Sequence, residues 1–132
     1  MTVVVDASAV VAALVDAGPD GEWATAELLR DVPVAPHLMP VEAANILRRA
    51  VRSGALSADS GTLAHNDLLA LPIELFPYQP LALRVWELRD NLTSYDACYV
   101  ALAEALDAPF VTLDARIGRA AGVQCLVRLP SR

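Results

Sequence analysis

The sequence predicts an α/β sandwich built around a mainly parallel sheet. Short apolar runs, several rich in valine, recur at Val3 to Val5, Val34-Ala35, Ile73 to Phe76, Phe110 to Leu113 and Gln124 to Val127. Runs of this kind are what strands buried on both faces look like. Between them lie segments with apolar residues spaced by three and four, so strands alternate with helices along the chain. No repeat, low-complexity tract or long linker divides the 132 residues, and residues 1–132 are expected to form a single domain.

Each element has a local reason. Val3 to Val5 ends at Asp6-Ala7-Ser8, and Ala9 to Val15 then reads as a short helix. Gly18-Pro19-Asp20-Gly21 has the composition of a turn, followed by a helix from Glu22 to Arg30 with Trp23, Ala26 and Leu29/Leu30 on one face. Val34-Ala35, set between two prolines, is a brief strand. A helix from Val41 to Arg52 is closed by Ser53-Gly54. Ser57 caps the next helix, which runs to about Leu71, and Ile73 to Phe76 alternates as a strand. Pro80 to Asn91 is read as helical, and Thr93-Ser94 caps a helix from Tyr95 to Leu106. That helix is apolar nearly all round, which predicts burial. Phe110 to Leu113 ends at Asp114, a short helix covers Arg116 to Ala120, and Gln124 to Val127 is the last strand.

Composition narrows the chemistry. An apolar content of 55% supports a packed core without disulfide or zinc support. No apolar run reaches the roughly 18 residues that cross a bilayer. The start, Met1-Thr2-Val3-Val4-Val5-Asp6, has no basic lead and reads as a strand, not a signal peptide, so a cytoplasmic location is expected. Cys98 and Cys125 sit in apolar surroundings and are expected to be small buried hydrophobes; no CxxC or His/Cys cluster offers a zinc site. The net charge of −6 opposes a protein that coats nucleic acid, unless acids are gathered around a cation that reverses the local field. The ten basic residues are all arginine. Without lysine, P-loop nucleotide binding, Schiff-base catalysis and phospho-aspartyl receivers are excluded.

Functional groups in open parallel sheets collect at the carboxyl ends of strands. Two predicted strands end in aspartate, at Asp6 and Asp114. Adjacent strands lie about 4.8 Å apart, so neighbouring placement would point both carboxylates into one crevice. Asp96 lies in the first turn of the buried helix, and Glu42 in the first turn of the helix after Pro40, with Asn45 and Arg49 extending its polar stripe. Each acid also has a structural explanation, since a helix first turn favours a carboxylate and an aspartate after a strand is a common cap. Four of them together on one side of the sheet would repel without a cation. Oxygen-only ligands favour Mg²⁺ or Mn²⁺, ions that serve in-line phosphoryl chemistry. Ser8 and Thr93 (or Ser94) are supporting candidates, each doubling as a helix cap. His37 and His65 are given no catalytic role, and Trp23, Trp86, Tyr95 and Tyr99 are expected in the core or an interface. Arg49, Arg84, Arg89 and Arg116 are candidates for phosphate contacts, with surface charge or intrachain pairing as the alternative for each.

Four stretches in order, Val3-Val4-Val5-Asp6-Ala7-Ser8-Ala9, Pro40-Val41-Glu42-Ala43-Ala44-Asn45, Leu92-Thr93-Ser94-Tyr95-Asp96-Ala97 and Phe110-Val111-Thr112-Leu113-Asp114, resemble the PIN-domain ribonucleases. In particular they resemble the VapC toxins of bacterial toxin–antitoxin systems. The resemblance implies a Rossmann-like, three-layer α/β/α fold and a Mg²⁺-dependent (or Mn²⁺-dependent) endoribonuclease. It matches Asp6, Glu42, Asp96 and Asp114 to the family's acidic quartet. Asp6 and Asp96 would be the main metal ligands, Asp114 would assist directly or through water, and Glu42 would ligate or orient the attacking water. Ser8, Thr93 and Asn45 would support them. It also implies a homodimer held inactive by a cognate antitoxin. Two other readings stand beside it: a PIN nuclease in RNA processing without an antitoxin, and a non-catalytic module whose acidic pocket binds a basic peptide.

Overall fold

The computed structural model describes residues 1–131. Five strands form one sheet: β1 (Thr2–Val5), β2 (Val32–Pro36), β3 (Glu74–Phe76), β4 (Phe110–Val111) and β5 (Val127–Arg128). Every pairing is parallel and the order is β3-β2-β1-β4-β5. The chain steps one way from β1 through β2 to β3, then crosses back to place β4 and β5 on the other side of β1. The crevice between β1 and β4 is therefore a topological switch point, where open α/β sheets gather ligands.

Seven helices flank the sheet among the described residues: α1 (Ala7–Val15), α2 (Pro19–Arg30), α3 (Met39–Ser53), α4 (Ala58–Ala70), α5 (Ala82–Glu87), α6 (Ser94–Leu106) and α7 (Ala115–Arg119). α1 packs on α2 and α3, and α3 on α4, while α6 packs on β1, β2 and α5. The two groups form the outer layers of an α/β/α sandwich, the predicted class. Val3, Val4 and Val5 are fully buried, as a central parallel strand requires. α6 is buried from Ala97 to Ala103, and the Tyr99 ring stacks on Phe110 with centroids 5.6 Å apart. Fully buried Tyr99 and half-buried Trp23 fit the core expectation, whereas Trp86 and Tyr95 are both 65% exposed. Cys98 is buried and Cys125 half-buried, and both are free thiols. No helix among the described residues is long and apolar enough to cross a membrane.

The departures from expectation have local causes. Gly18-Pro19-Asp20-Gly21 is not a free turn but the start of α2, with Gly18 at the N-cap and Pro19 at the first helical position. Proline suits that place because the amide it lacks has no intrahelical partner there. β2 is an interior strand although it holds two prolines. These sit near its ends, and the flanking amides of Val32 and His37 bond to Met1 and Phe76 carbonyls at 2.8 Å. The expected helix over Pro80 to Asn91 is divided: a 3₁₀ turn (Gln79–Leu81), α5, and then tight turns in which Arg89 and Asn91 amides bond three residues back. The predicted strand Phe110 to Leu113 stops at Val111. Beyond it the Leu113 amide donates to the Ser8 hydroxyl (3.2 Å) and the Asp114 amide to the Thr112 hydroxyl (3.0 Å). The last strand is Val127–Arg128 and does not include Gln124, whose amide is taken by Glu104 (2.8 Å).

Candidate active site

Asp6, Glu42, Asp96 and Asp114 line one cavity of about 320 Å³, together with Ser8, Asn45, Arg49 and Tyr99. The topology explains the convergence. β1 and β4 are hydrogen-bonded neighbours, with Val5 paired to Val111, so the chain leaves both strands beside each other at Asp6 and Thr112 to Asp114. β2 lies on the other side of β1, and the chain leaving it enters α3, which brings Glu42 within reach. Asp96 enters from α6 on the opposite face of the sheet. The bond from the Tyr99 hydroxyl to Glu42 Oε1 (2.5 Å) ties α6 to α3 across the sheet's carboxyl edge.

Asp6 is the most constrained of the four. It is buried and caps α1, with Oδ1 accepting from the Ala9 amide (3.0 Å) and the Ser8 hydroxyl (2.6 Å). Its Oδ2 accepts from the Thr112 hydroxyl at 2.5 Å. The cap role and the site role are thus served by one carboxylate. Burial pushes its pKa up, the three donors oppose that shift, and the Asp96 charge adds to it. Thr112 is fully buried, and its hydroxyl also accepts from the Asp114 amide, so one side chain registers two of the acids. Thr112→Val, which keeps the shape and removes the donor, is expected to cost about 1.5–3 kcal/mol in urea denaturation, the range for hydrogen bonds to charged groups. An unchanged denaturation midpoint would contradict this role.

The remaining acids sit in one another's field. Burial raises the Glu42 pKa; the Tyr99 bond opposes this, while Asp96 and Asp6 raise it further. Tyr99 is held protonated, first by its own burial and then by Glu42. Asp96 is raised by burial and by Asp114, with Thr93 and Arg116 opposing, and Thr93 also caps α6 by accepting the Asp96 amide (3.1 Å). Asp114 alone is lowered, chiefly by its bonds from Arg116 Nε (3.0 Å) and Nη2 (2.7 Å). Asp114 also caps α7 through the Arg116 amide.

Of the supporting candidates, Ser8 bonds a site acid, Thr93 sets the start of α6, and Asn45 lines the cavity without a bond to any of the four among the described residues. Three of the four arginines proposed for phosphate contacts are otherwise engaged. Arg84 bonds Glu104 and the Gly122 carbonyl, Arg89 lies over the Trp86 ring, and Arg116 is on Asp114. Arg49 alone lines the cavity. The two positioning residues not anticipated are Thr112 and the hydroxyl of Tyr99. Thr112 carried a signal, being a polar residue inside the apolar run Phe110-Val111-Thr112-Leu113.

The donor set fits a hard divalent cation. It consists of carboxylate oxygens only; burial raises the pKa of Asp6, Glu42 and Asp96, and a neighbouring carboxylate adds to each, a negative field that a cation would relieve. Among the described residues no three His, Cys, Asp or Glu side chains stand close enough to enclose an ion by themselves.

The comparisons with known proteins agree with this architecture. The family model for the PIN domain matches residues 3–123. Ribonuclease VapC1 of Mycobacterium tuberculosis is 41% identical over 127 residues, covering 96% of each chain. Ribonuclease VapC9 of the same organism is 40% identical over 130 residues, covering 98% of this chain and 99% of that one. The crystal structure of VapBC2 from Rickettsia felis, bound to a DNA fragment from their promoter, shares the fold with a TM-score of 0.68, at 15% identity and 98% coverage of both chains. With a parallel 3-2-1-4-5 sheet and acids gathered at its switch point, this chain belongs to the PIN-domain family, among its VapC ribonucleases.

Proposed function

We propose that the protein is a divalent-metal-dependent endoribonuclease, the toxin of a toxin–antitoxin pair, which hydrolyses RNA phosphodiester bonds. The observation that carries this reading is the meeting of Asp6, Glu42, Asp96 and Asp114 on one cavity at the switch point of the sheet. The names of the relatives VapC1 and VapC9 support the reaction class. Mg²⁺ or Mn²⁺ held by Asp6 and Asp96, with Asp114 and Glu42 assisting, would supply positive charge for the phosphate oxygens and make water acidic enough to react.

The chain's own groups do the rest. Three donors hold Asp6 in a single orientation, which would fix its oxygens for an ion before substrate arrives. One Glu42 oxygen is occupied by Tyr99; the other has no protein partner among the described residues and is free to take a proton from water. Arg116 pairs with Asp114 and holds its carboxylate ionised and oriented, ready to assist the ion directly or through water. A homodimer and an antitoxin belong to the same reading, and an exposed set of acids is a ready target for an incoming guanidinium.

The decisive experiment incubates purified protein with an RNA pool in Mg²⁺, Mn²⁺ or EDTA, beside calorimetric titration of the ions. Metal-dependent cleavage is expected. No cleavage and no ion binding would end the proposal and leave a non-catalytic acidic module.

The pKa shifts give a separate check. A carboxylate whose folded pKa is raised stabilises the fold below its unfolded value and loses that contribution as pH rises through the folded value. Asp96→Asn escapes this loss. In EDTA the variant should match the parent below pH 3.8 and melt at higher temperature than the parent towards neutrality. A divalent ion at ten times its Kd should stabilise the parent by about 1.4 kcal/mol and the variant by less. A parent that gains nothing from the ion, or a variant that melts lower at pH 7, would count against the site.

A further inference from the structure

The acidic cavity poses a problem for any polyanion, because a chain of net charge −6 must still admit RNA. Positive charge not cancelled by the protein's own acids is the resource to look for. Most arginines among the described residues are committed. Arg30 and Arg128 pair with Glu27, Arg128 also with Asp31, Arg84 with Glu104, Arg116 with Asp114, and Arg89 lies over Trp86. Arg119 stands in the field of Asp114. Arg48, Arg49 and Arg52 are exposed and, like Arg119, have no salt-bridge partner among the described residues, but these three stand together on one element.

They also share one helix with Glu42. From the helical repeat, Arg49 lies about 20° around the α3 axis from Glu42 and about 10 Å further along it. Arg52 lies about 80° around and about 15 Å along, close to the line of Asn45. Arg49 therefore stands at the wall of the acidic cavity, where it is a lining residue. Arg48 and Arg52 line the neighbouring cleft between α3 and α4, a space of about 470 Å³ that also receives Thr62 and His65. The two spaces flank α3 on different faces, and by the helical repeat Arg49, Arg52 and Arg48 lie successively about 20°, 80° and 120° around its axis from Glu42, on the surface between them.

We propose that Arg49, Arg52 and Arg48 form a phosphate track, which receives the RNA backbone flanking the scissile bond and leads it from the α3–α4 cleft into the acidic cavity. The inference rests on the ribonuclease reading above and adds where the strand runs. Guanidinium groups suit the task because their fork matches phosphate oxygens, and His65 lines the same cleft. Repulsion from the acids and attraction along α3 together favour a strand that approaches from one side.

The test measures binding, so that it does not depend on turnover. In the Asp96→Asn background, a fluorescein-labelled single-stranded RNA is titrated by fluorescence anisotropy from 50 to 300 mM KCl. Arg49→Ala and Arg52→Ala should each weaken binding about 3- to 10-fold near physiological salt. Each should also reduce the slope of log Kd against log salt by about 0.7, the value for one phosphate contact on a single strand. Arg49→Lys should restore most of the slope, since it keeps the charge, and Arg30→Ala on another helix should change neither quantity. Unchanged affinity and slope in the Arg48/Arg49/Arg52 triple alanine variant, with binding by the background protein intact, would overturn the track and assign these arginines to a protein partner or to solvent. If the parent protein neither binds nor cleaves RNA, the ribonuclease reading itself fails, which is a different result.

Discussion

Asp96→Asn is expected to lower metal-dependent RNA cleavage by about 10³-fold or more, equivalent to at least about 4 kcal/mol of transition-state stabilisation. Asp6→Asn should do the same. The change removes the charge and an oxygen proposed to ligate the metal while keeping shape, so folding is expected to survive. For Asp6 the argument is specific: asparagine caps a helix as well as aspartate does, and the Ser8 and Thr112 hydroxyls can each reorient to suit an amide. The measurement is single-turnover cleavage of a defined RNA in Mg²⁺, with circular dichroism melts of both variants beside it. Near-parental cleavage by a folded Asp96→Asn protein would remove Asp96 from the metal site. Glu42→Gln is milder in its geometry, because the Tyr99 hydroxyl keeps an acceptor, and it separates proton transfer from ion binding.

Gly21→Ala is expected to destabilise the protein by about 2–3 kcal/mol, a fall of roughly 10 °C in Tm. A methyl group at this position would lie 1.7 Å from the Asp16 carbonyl oxygen, 2.6 Å from its carbon and 2.9 Å from the Ala12 oxygen. All three are backbone atoms at the end of α1, and they cannot swing aside as a side-chain tip could. Helix propensity works the other way, favouring alanine over glycine by about 1 kcal/mol, so the net loss reports the clash directly. Gly118→Ala in α7 is the control, since its added methyl would meet only side chains, at 3.6 Å or more. Thermal and urea melts of the two variants decide the matter. A Gly21→Ala protein as stable as the parent would show that α1 and α2 do not approach so closely.

Gly21 also marks where sequence reading falls short. In Gly18-Pro19-Asp20-Gly21 the local composition is that of a turn, and nothing nearby in the chain reveals that the second glycine lies inside a helix pressed on another helix's backbone. The same holds for Phe110 to Leu113, where β propensity continues past Val111 but the Ser8 and Thr112 hydroxyls take the amides of Leu113 and Asp114. Helices with strong termini were legible. Ser57 caps α4 and Thr93 caps α6 by side-chain acceptance, and Gly54 closes α3 with φ at +83°. Alternation of valine-rich runs with helices was enough for the parallel sheet, because burial on both faces removes polar residues from those strands.

The acidic quartet was marked first by position, Asp6 and Asp114 after strands, Glu42 and Asp96 in first helical turns. Local chemistry and the ordered resemblance determined which acids to consider, since each lies in a short motif whose identity survives in one dimension. Only the tertiary structure decided that they face one cavity, because that depends on β4 crossing back to pair with β1 and on α6 bonding α3 over the sheet's edge. It alone separated free arginines from spent ones. Pairing between Arg84 and Glu104, or between Arg128 and Glu27, joins residues 20 and 101 positions apart, a distance across which sequence pattern carries no information.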